Sequence, residues 1–216
     1  MESQLIQTAD AFLVALNYIG IFVFAISGAV AAMHKRADLF GVVVLAIVAS
    51  SCGGILRDVL IGSLPPDNIR AWQPVAIAIF ASFVTIIFYP YVVKQFNNPV
   101  LVFDAFGLGL FTVLGVDKAL AFGIGPLWAV LLGMITAVGG GMLRDMLLAQ
   151  APQILHKEIY ATASVLGGII VVLGYTWPII WTSYTMVLGA VACTSLRLLA
   201  LKYKWQAPVP GVRQES

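Results

Sequence analysis

The chain contains the segment Cys52-Gly53-Gly54-Ile55-Leu56-Arg57-Asp58-Val59-Leu60 and a later copy, Gly139-Gly140-Gly141-Met142-Leu143-Arg144-Asp145-Met146-Leu147. One offset relates the copies, because 140 − 53, 144 − 57 and 145 − 58 are all 87. Apolar letters repeat by chance in a hydrophobic chain, but an Arg-Asp pair behind two glycines in register does not. The same offset, without a gap, pairs Pro65 with Pro152, Gly28 with Gly115, Phe24 with Phe111, Gly20 with Gly107, and Asn17 with Asp104. We infer an internal duplication.

The composition is typical of a membrane protein. Hydrophobic residues make up 61% of the chain and charged residues 10%, and the mean hydropathy is +0.97. Soluble domains carry about 25% charged residues, so a single core of this size could not bury so much apolar surface. Apolar runs of about 20 residues match the hydrocarbon thickness of a bilayer. The sequence therefore predicts a polytopic protein whose main partner is the lipid bilayer.

Seven apolar spans predict an all-α integral membrane protein with seven transmembrane helices. The expected spans are 11–33, 39–62, 72–93, 100–121, 127–149, 159–175 and 179–201. The duplication groups them into a first three-helix repeat at 11–95, a second at 99–176, a seventh helix at 179–201 and a mobile cytoplasmic tail at 202–216. Because three crossings are an odd number, the second repeat is expected to be inverted relative to the first, as in many transport proteins.

The Lys and Arg residues of the short loops predict the orientation. An excess of these residues marks the cytoplasmic side of a membrane protein. With the N-terminus outside, the outer loops hold only Arg70 and Lys118. The cytoplasmic segments then hold Lys35, Arg36, Lys94, Lys157, Lys202, Lys204 and Arg213. We therefore expect an outer N-terminus and a cytoplasmic C-terminus, with Lys118 reaching the outer surface along its aliphatic stem.

The glycine runs lie in the middle of the second and fifth spans, where they need an explanation. Glycine inside a helix costs about 1 kcal/mol relative to alanine. Consecutive glycines allow a helix to bend or unwind, and freed carbonyls that line a wet cavity can bind a cation. Close helix packing through small residues is the alternative. The candidate pathway residues at these kinks are Gly53, Gly54, Gly139, Gly140 and Gly141, with hydroxyl groups from Ser50, Ser51 and Thr136.

The pairs Arg57-Asp58 and Arg144-Asp145 place charges within apolar spans. An ionisable residue inside a membrane is expensive and is by default a functional hypothesis. Adjacent helical residues point about 100° apart, so we expect that the members of each pair do not simply neutralise each other. Inverted repeats would place the pairs in opposite halves of the membrane, as two mouths of one pathway. The alternative is that both pairs are structural ion clamps.

Asn17 and Asp104 occupy equivalent positions near the starts of the first and fourth spans. Asp104 is an acid inside an apolar span, and it could pair with Arg57 or Arg144 or face water in the pathway. A shallow acid favoured by the dipole of the helix start is the simpler interpretation.

The doubled Gly-Gly-x-Leu-Arg-Asp motif, within spans arranged three, three and one, resembles the bacterial branch of the TRIC (trimeric intracellular cation) channel family. The resemblance covers approximately residues 11–201. It implies a homotrimer in the bacterial inner membrane, with a pore in each protomer between the inverted repeats, beside glycine-kinked spans two and five. It also implies that potassium and sodium are the permeant ions.

The sequence thus predicts a passive channel for monovalent cations that catalyses no reaction. We expect no cofactor, no tightly bound metal and no nucleic-acid partner, only transient potassium or sodium ions. The main alternative is a secondary transporter of a small amino acid such as glycine, whose carboxylate and ammonium groups an Arg-Asp pair could hold. A membrane-embedded enzyme and a scaffold without transport are weaker alternatives, because no catalytic motif is present and a scaffold does not require buried charges.

Overall fold

The computed structural model describes residues 2–96, 98–152, 159–175 and 179–205, and within these ranges the regular structure is helical. The helices are α1 (Glu2–His34), α2 (Leu39–Leu60), α3 (Asp67–Arg70), α4 (Gln73–Gln95), α5 (Pro99–Ala121), α6 (Pro126–Leu147), α7 (Ala161–Tyr175) and α8 (Ile179–Lys202). Residues 153–158, which lie between the predicted spans five and six, residues 176–178 and the part of the predicted mobile tail beyond residue 205 lie outside the described residues.

Six of these helices are long and apolar enough to cross a membrane, and α7 is a shorter apolar helix. The protein is a multi-pass membrane protein. Each of the seven predicted spans corresponds to one helix. The short α3 was not predicted, because Pro65-Pro66 and the following Asp67-Asn68 indicate a turn. Instead, Pro66 immediately precedes this single helical turn.

The two copies of the motif end their helices in the same way. Gly62 follows α2 with a φ of 75°, and the equivalent residue Ala149 follows α6 with a φ of 51°. The next amide closes each end, because Ser63 N–H donates to the Asp58 carbonyl at 2.8 Å and Gln150 N–H donates to the Asp145 carbonyl at 2.9 Å. This is the usual way in which a residue in the left-handed region terminates a helix.

Glycines bring α2 and α6 into contact backbone to backbone. A Cβ atom on Gly53 would overlap the carbonyl oxygen of Thr136, and one on Gly140 would overlap that of Ala49. These contacts are equivalent under the duplication, because 53 + 87 = 140 and 49 + 87 = 136. As the residue number falls along α2 it rises along α6, so the two helices cross in antiparallel directions.

The first helices of the two halves meet in the same reciprocal manner. A Cβ atom on Gly20 would overlap the ring of Phe111, and one on Gly107 would overlap the ring of Phe24. The two phenylalanine rings lie 5.1 Å apart between centroids. Helices α1, α2, α5 and α6 thus form the centre of the bundle, with α5 the most enclosed span and α4 mostly at its surface.

The helical hydrogen-bonding pattern runs without interruption through both glycine runs. The expectation of a local unwinding was therefore wrong, and a bend at these positions stays a prediction. The packing alternative accounts for Gly53 and Gly140. Helix interfaces built on small residues commonly space their glycines by four. Adjacent glycines point about 100° apart, however, so one can face a helix while the next faces a different neighbour.

We predict that Gly140→Ala destabilises the protein by about 1–3 kcal/mol, because the added methyl group forces α2 and α6 apart. Gly125→Ala is the matched control, since a Cβ atom there meets no atom within 4 Å and the φ of −60° suits alanine. Thermal unfolding of the detergent-solubilised variants, followed by circular dichroism, measures the difference. Equal unfolding temperatures for the two variants would contradict the close approach of the helices.

Candidate functional site

The first buried cluster of charges surrounds Asp58, and we call it the α2 cluster (Arg57, Asp58, Asp67 and Lys118). The carboxylate oxygen Oδ1 of Asp58 accepts a hydrogen bond from Arg57 Nε at 2.9 Å and lies 2.8 Å from Arg57 Nη2. Lys118 Nζ, from the last turn of α5, lies 2.8 Å from the same oxygen. The second oxygen, Oδ2, accepts from the backbone N–H of Asp67 at 3.0 Å. Asp58 is 1% exposed.

Two expectations about these residues were wrong. Arg57 and Asp58 do pair, because the long arginine side chain can turn back along the helix to reach its neighbour despite their different directions at Cα. Lys118 reaches the half-exposed Asp67 but is held there in ion pairs and does not extend into solvent. Its ammonium lies between Asp58 Oδ1 and Asp67 Oδ2, the latter at 2.5 Å, and its side chain is 17% exposed. Lys118 therefore ties the end of α5 to α2 and α3.

The second cluster surrounds Arg144, and we call it the α6 cluster (Arg144, Asp145, Asp104 and Ser27). Arg144 repeats the pairing of Arg57, with Nε and Nη2 both 2.8 Å from Asp145 Oδ1. Its Nη1 donates to Asp104 Oδ1 at 2.8 Å and to Ser27 Oγ at 2.7 Å. Ser27 Oγ in turn donates to the carbonyl of Val100 at 3.0 Å. Arg144 and Asp104 are each 1% exposed, so Asp104 is a buried partner of Arg144 and not a shallow helix-start acid.

Tyr160 and Arg197 extend the α6 cluster, and the sequence did not single them out. The guanidinium of Arg197 lies 4.8 Å from the centroid of the Tyr160 ring, an arrangement typical of a cation–π contact. The Tyr160 hydroxyl oxygen and Asp104 Oδ1 are both 3.1 Å from the position of a Cβ atom on Gly141. Arg197 could have been found as the one basic residue within the predicted span seven, near its end, whereas Tyr160 carries no such signal.

Both clusters balance charge from three or more helices. In the α2 cluster, Arg57 and Lys118 face the carboxylates of Asp58 and Asp67. In the α6 cluster, Arg144 faces Asp104 and Asp145, with Arg197 on the far side of Tyr160. A buried ion requires a partner, because removing one member leaves an uncompensated charge. The second cation in each case, Lys118 or Arg197, has no counterpart in the other half.

The remaining predicted residues take different positions. Ser50 and Thr136 donate to carbonyls of their own helices, with Ser50 Oγ 2.8 Å from the Ala46 oxygen and Thr136 Oγ1 2.6 Å from the Leu132 oxygen. The Ser51 carbonyl accepts from Asn68 Nδ2 at 3.3 Å. Asn17 is half-buried and belongs to neither cluster as described.

Two glycines of the duplicated motif, Gly54 and Gly141, lie next to the arginine side chains and leave space for them. A Cβ atom on Gly54 would lie 3.2 Å from Asn68 Nδ2 and 4.0 Å from Arg57 Nη2, and one on Gly141 would lie 3.7 Å from Arg144 Nη2. Gly139 lies against Gly53, because its Cβ position is 3.2 Å from the Gly53 Cα. Gly53, Gly139 and Gly140 thus serve the helix contact, and Gly54 and Gly141 leave room for charged groups.

A family model described as "Glycine transporter" matches residues 14–90 and 101–176. The protein belongs to this family. The two matched segments begin 87 residues apart, since 101 − 14 = 87, which is the offset of the duplicated motif. The inner membrane protein YadS of Escherichia coli is 37% identical over 195 residues, which cover 89% of this chain and 93% of YadS.

Solved structures that this chain resembles are those of TRIC channels. A prokaryotic TRIC channel crystallised in 0.5 M KCl has a TM-score of 0.83 and 33% identity, and the match covers 90% of this chain and 98% of that one. The TRIC trimeric intracellular cation channel orthologue from Rhodobacter sphaeroides has a TM-score of 0.82 and 31% identity, and the match covers 89% and 98%. The resemblance of the sequence to TRIC channels is thus confirmed, and these neighbours are ion channels and not enzymes.

We predict that Arg144→Gln destabilises this family member more than Arg57→Gln. The first substitution removes the cation that Asp104 and Asp145 share and leaves both carboxylates buried without it, which costs about 3–5 kcal/mol. The second leaves Asp58 with the Lys118 ammonium and the Asp67 amide, so the cost is expected to be about half as large. Thermal unfolding of both variants in the same detergent measures the difference. A larger loss for Arg57→Gln would show that the α2 cluster is the main structural clamp.

Proposed function

We propose that the protein is a passive channel for monovalent cations, chiefly potassium and sodium, with a pathway in each protomer along α2 and α6. The observation that carries this proposal is the pair of equivalent Arg-Asp clusters on either side of the α2–α6 crossing. The assignment of cation conduction is supported by the similar solved structures, which are those of TRIC channels. Buried charges at equivalent positions are costly, and a pathway that needs charged groups at both ends gives them a use.

The proposed pathway lies between two inverted three-helix repeats, formed by α1, α2 and α4 and by α5, α6 and α7, with α8 as the seventh crossing. Reciprocal glycine contacts support this arrangement, since the contacts of Gly53 and Gly20 with the other half have equivalents in those of Gly140 and Gly107. The antiparallel crossing of α2 and α6 is the relation expected of inverted repeats.

The clusters lie at equal distances from the crossing. Arg57 follows Gly53 by four residues, and Arg144 follows Gly140 by four residues, which corresponds to about 6 Å along each helix. Because the helices are antiparallel, these displacements are in opposite directions. We therefore propose that the α2 cluster and the α6 cluster are the two mouths of the pathway, at different depths in the membrane.

Lys118 occupies the position in the α2 cluster that best suits a permeating cation. Its ammonium lies within ion-pair distance of both Asp58 and Asp67, and the Asp67 side chain is 54% exposed. When Lys118 is withdrawn, the two carboxylates face only Arg57, and the net negative charge that results would concentrate cations from solution. We propose that Lys118 closes this mouth as a tethered cation, and that its withdrawal lets a potassium or sodium ion enter.

We further propose a homotrimer with an outer N-terminus and a cytoplasmic C-terminus. The Rhodobacter sphaeroides neighbour is a trimeric channel, and the positions of Lys and Arg support the orientation. Light scattering of the purified protein would test the stoichiometry. A cysteine at Asp67 in a background without Cys52 and Cys193, labelled by an impermeant thiol reagent in whole cells, would test the orientation.

A secondary transporter of glycine is the second candidate, because the matching family model is described as a glycine transporter. The ammonium and carboxylate of glycine could in principle replace one member of an Arg-Asp pair. Both arginines already bind carboxylates, however, so a bound glycine would have to displace Asp58 or Asp145 from a buried contact. This requirement favours the channel.

Protein reconstituted in liposomes is expected to pass potassium down its gradient without ATP, at a rate that glycine does not alter. A potassium-sensitive dye inside the vesicles measures the flux, and radiolabelled glycine measures uptake in the same preparation. Empty vesicles are the control. Saturable glycine exchange without potassium flux would contradict the channel and support the transporter.

Lys118→Met is expected to raise potassium flux by about tenfold, because it removes a cation from an acidic mouth. Asp58→Asn is expected to lower the flux, since it removes half of the negative charge. Lys35→Met is the matched control, because Lys35 is an exposed lysine outside both clusters. Unchanged flux in Lys118→Met, with an unfolding temperature close to that of the wild type, would rule out closure by Lys118.

A further inference from the structure

A cavity of about 720 Å³ opens at one end of the bundle, where the end of α4, the start of α5 and the end of α8 meet. It is separate from the α2 cluster and reaches the α6 cluster only through Arg197. Its polar lining consists of Gln95, Asn98, Arg197, Lys202 and Lys204. The orientation proposed above puts this end of the bundle at the cytoplasmic surface.

The lining of the cavity is strongly positive. Three of its residues are cationic, Arg197, Lys202 and Lys204, and the described lining residues include no carboxylate. Helix α5 also begins here, with Asn98 as a cap residue whose side chain makes no capping hydrogen bond. The first amides of a long helix add partial positive charge to the same space. The cavity therefore suits an anion.

The rest of the cavity lining is mostly apolar. Leu101 and Val102 of α5 and Leu198 and Leu201 of α8 are among the residues that line it. Arg197 precedes Lys202 by five residues, so it lies about 7.5 Å further into the bundle. The cavity thus has a cationic rim, a cationic residue at its inner end and an apolar wall between them, so it can take an anionic group together with a hydrocarbon chain.

Aromatic side chains mark the rim as a membrane interface. Trp205 lines the cavity, and its ring stacks on that of Tyr203 with centroids 5.9 Å apart. The Lys202 ammonium lies 5.6 Å from the centroid of the same tyrosine ring. Tryptophan, tyrosine and lysine together are characteristic of the headgroup region of a bilayer.

We propose that this pocket binds an anionic phospholipid, with the headgroup phosphate at Lys202 and Lys204 and an acyl chain along the leucine wall. Basic pockets between transmembrane helices on the cytoplasmic side commonly bind anionic headgroups. The shared chemistry is that of a phosphate monoanion or dianion, and the apolar wall favours a lipid over free phosphate. This assignment goes beyond the channel function and does not depend on it.

The test uses the full-length protein in nanodiscs of phosphatidylcholine that contain a small fraction of spin-labelled phosphatidylglycerol. The double substitution Lys202→Gln with Lys204→Gln is expected to weaken the association of the labelled lipid by about 30-fold, which corresponds to about 1 kcal/mol per lysine. The matched control is Lys35→Gln with Arg36→Gln, which removes the same charge from exposed residues on the same proposed side, outside the cavity. This control is expected to retain binding.

A third variant tests the apolar wall. Val102→Trp is expected to reduce lipid association by filling the interior, without any change in charge. Unfolding temperatures of all variants establish that they remain folded. Inorganic phosphate is added as a competitor, and it is expected not to displace the lipid at millimolar concentration.

Several results would overturn the proposal. Equal losses of lipid association in the two double variants would show that the lipid responds to general surface charge and not to this pocket. Full binding in the Lys202 and Lys204 variant would place the lipid elsewhere, and displacement by free phosphate would assign the pocket to a soluble anion. Loss of the oligomer instead of the lipid would assign this surface to a contact between copies of the chain.

Discussion

A buried guanidinium must keep its partners, and this constraint organises the polar interior of the protein. Arginine retains its charge in any protein environment, so Arg144 cannot become neutral when it is removed from water. Its contacts with Asp104, Asp145 and Ser27 come from three helices, α1, α5 and α6. These helices can separate only if a charge is left unpaired in an apolar interior. The ion pairs and the glycine contacts therefore fix the same core by different means.

Much of this arrangement follows from the sequence, because transmembrane helices have a strong signal. Apart from the start of α1, which begins at Glu2 and not at residue 11, the spans were placed to within a few residues, since apolar length and proline or charged ends determine where such helices begin and stop. The duplication was visible because Arg57-Asp58 and Arg144-Asp145 are rare in an apolar chain. Both pairs lie in the last turns of apolar helices, α2 and α6, so the sequence marks them as unusual but does not show that they are buried.

The partners of these charges could not be predicted, because they depend on packing in three dimensions. Nothing local indicates that Lys118 reaches back to Asp58, or that Tyr160 lies between Asp104 and Arg197. The pairing of each arginine with the aspartate that follows it does not follow from their directions at Cα, because the long arginine side chain can reach its neighbour. The packing role of the glycines could not be predicted for a related reason, because the sequence does not show which neighbour each face of the helix meets. The roles of these residues in conduction remain proposals.

The reciprocal contact between α2 and α6 makes their crossing a pivot with two equal arms. Gly53 and Gly140 hold the helices together at one point, and each charged cluster lies four residues beyond it in opposite directions. A rotation of about 10° about this point moves a group about 6 Å away by about 1 Å, given a rise of about 1.5 Å per residue. Both clusters move together, because each is attached to one of the two helices. A movement of one helix against the other therefore changes the surroundings of both clusters, which lie about 12 Å apart along the helix axes.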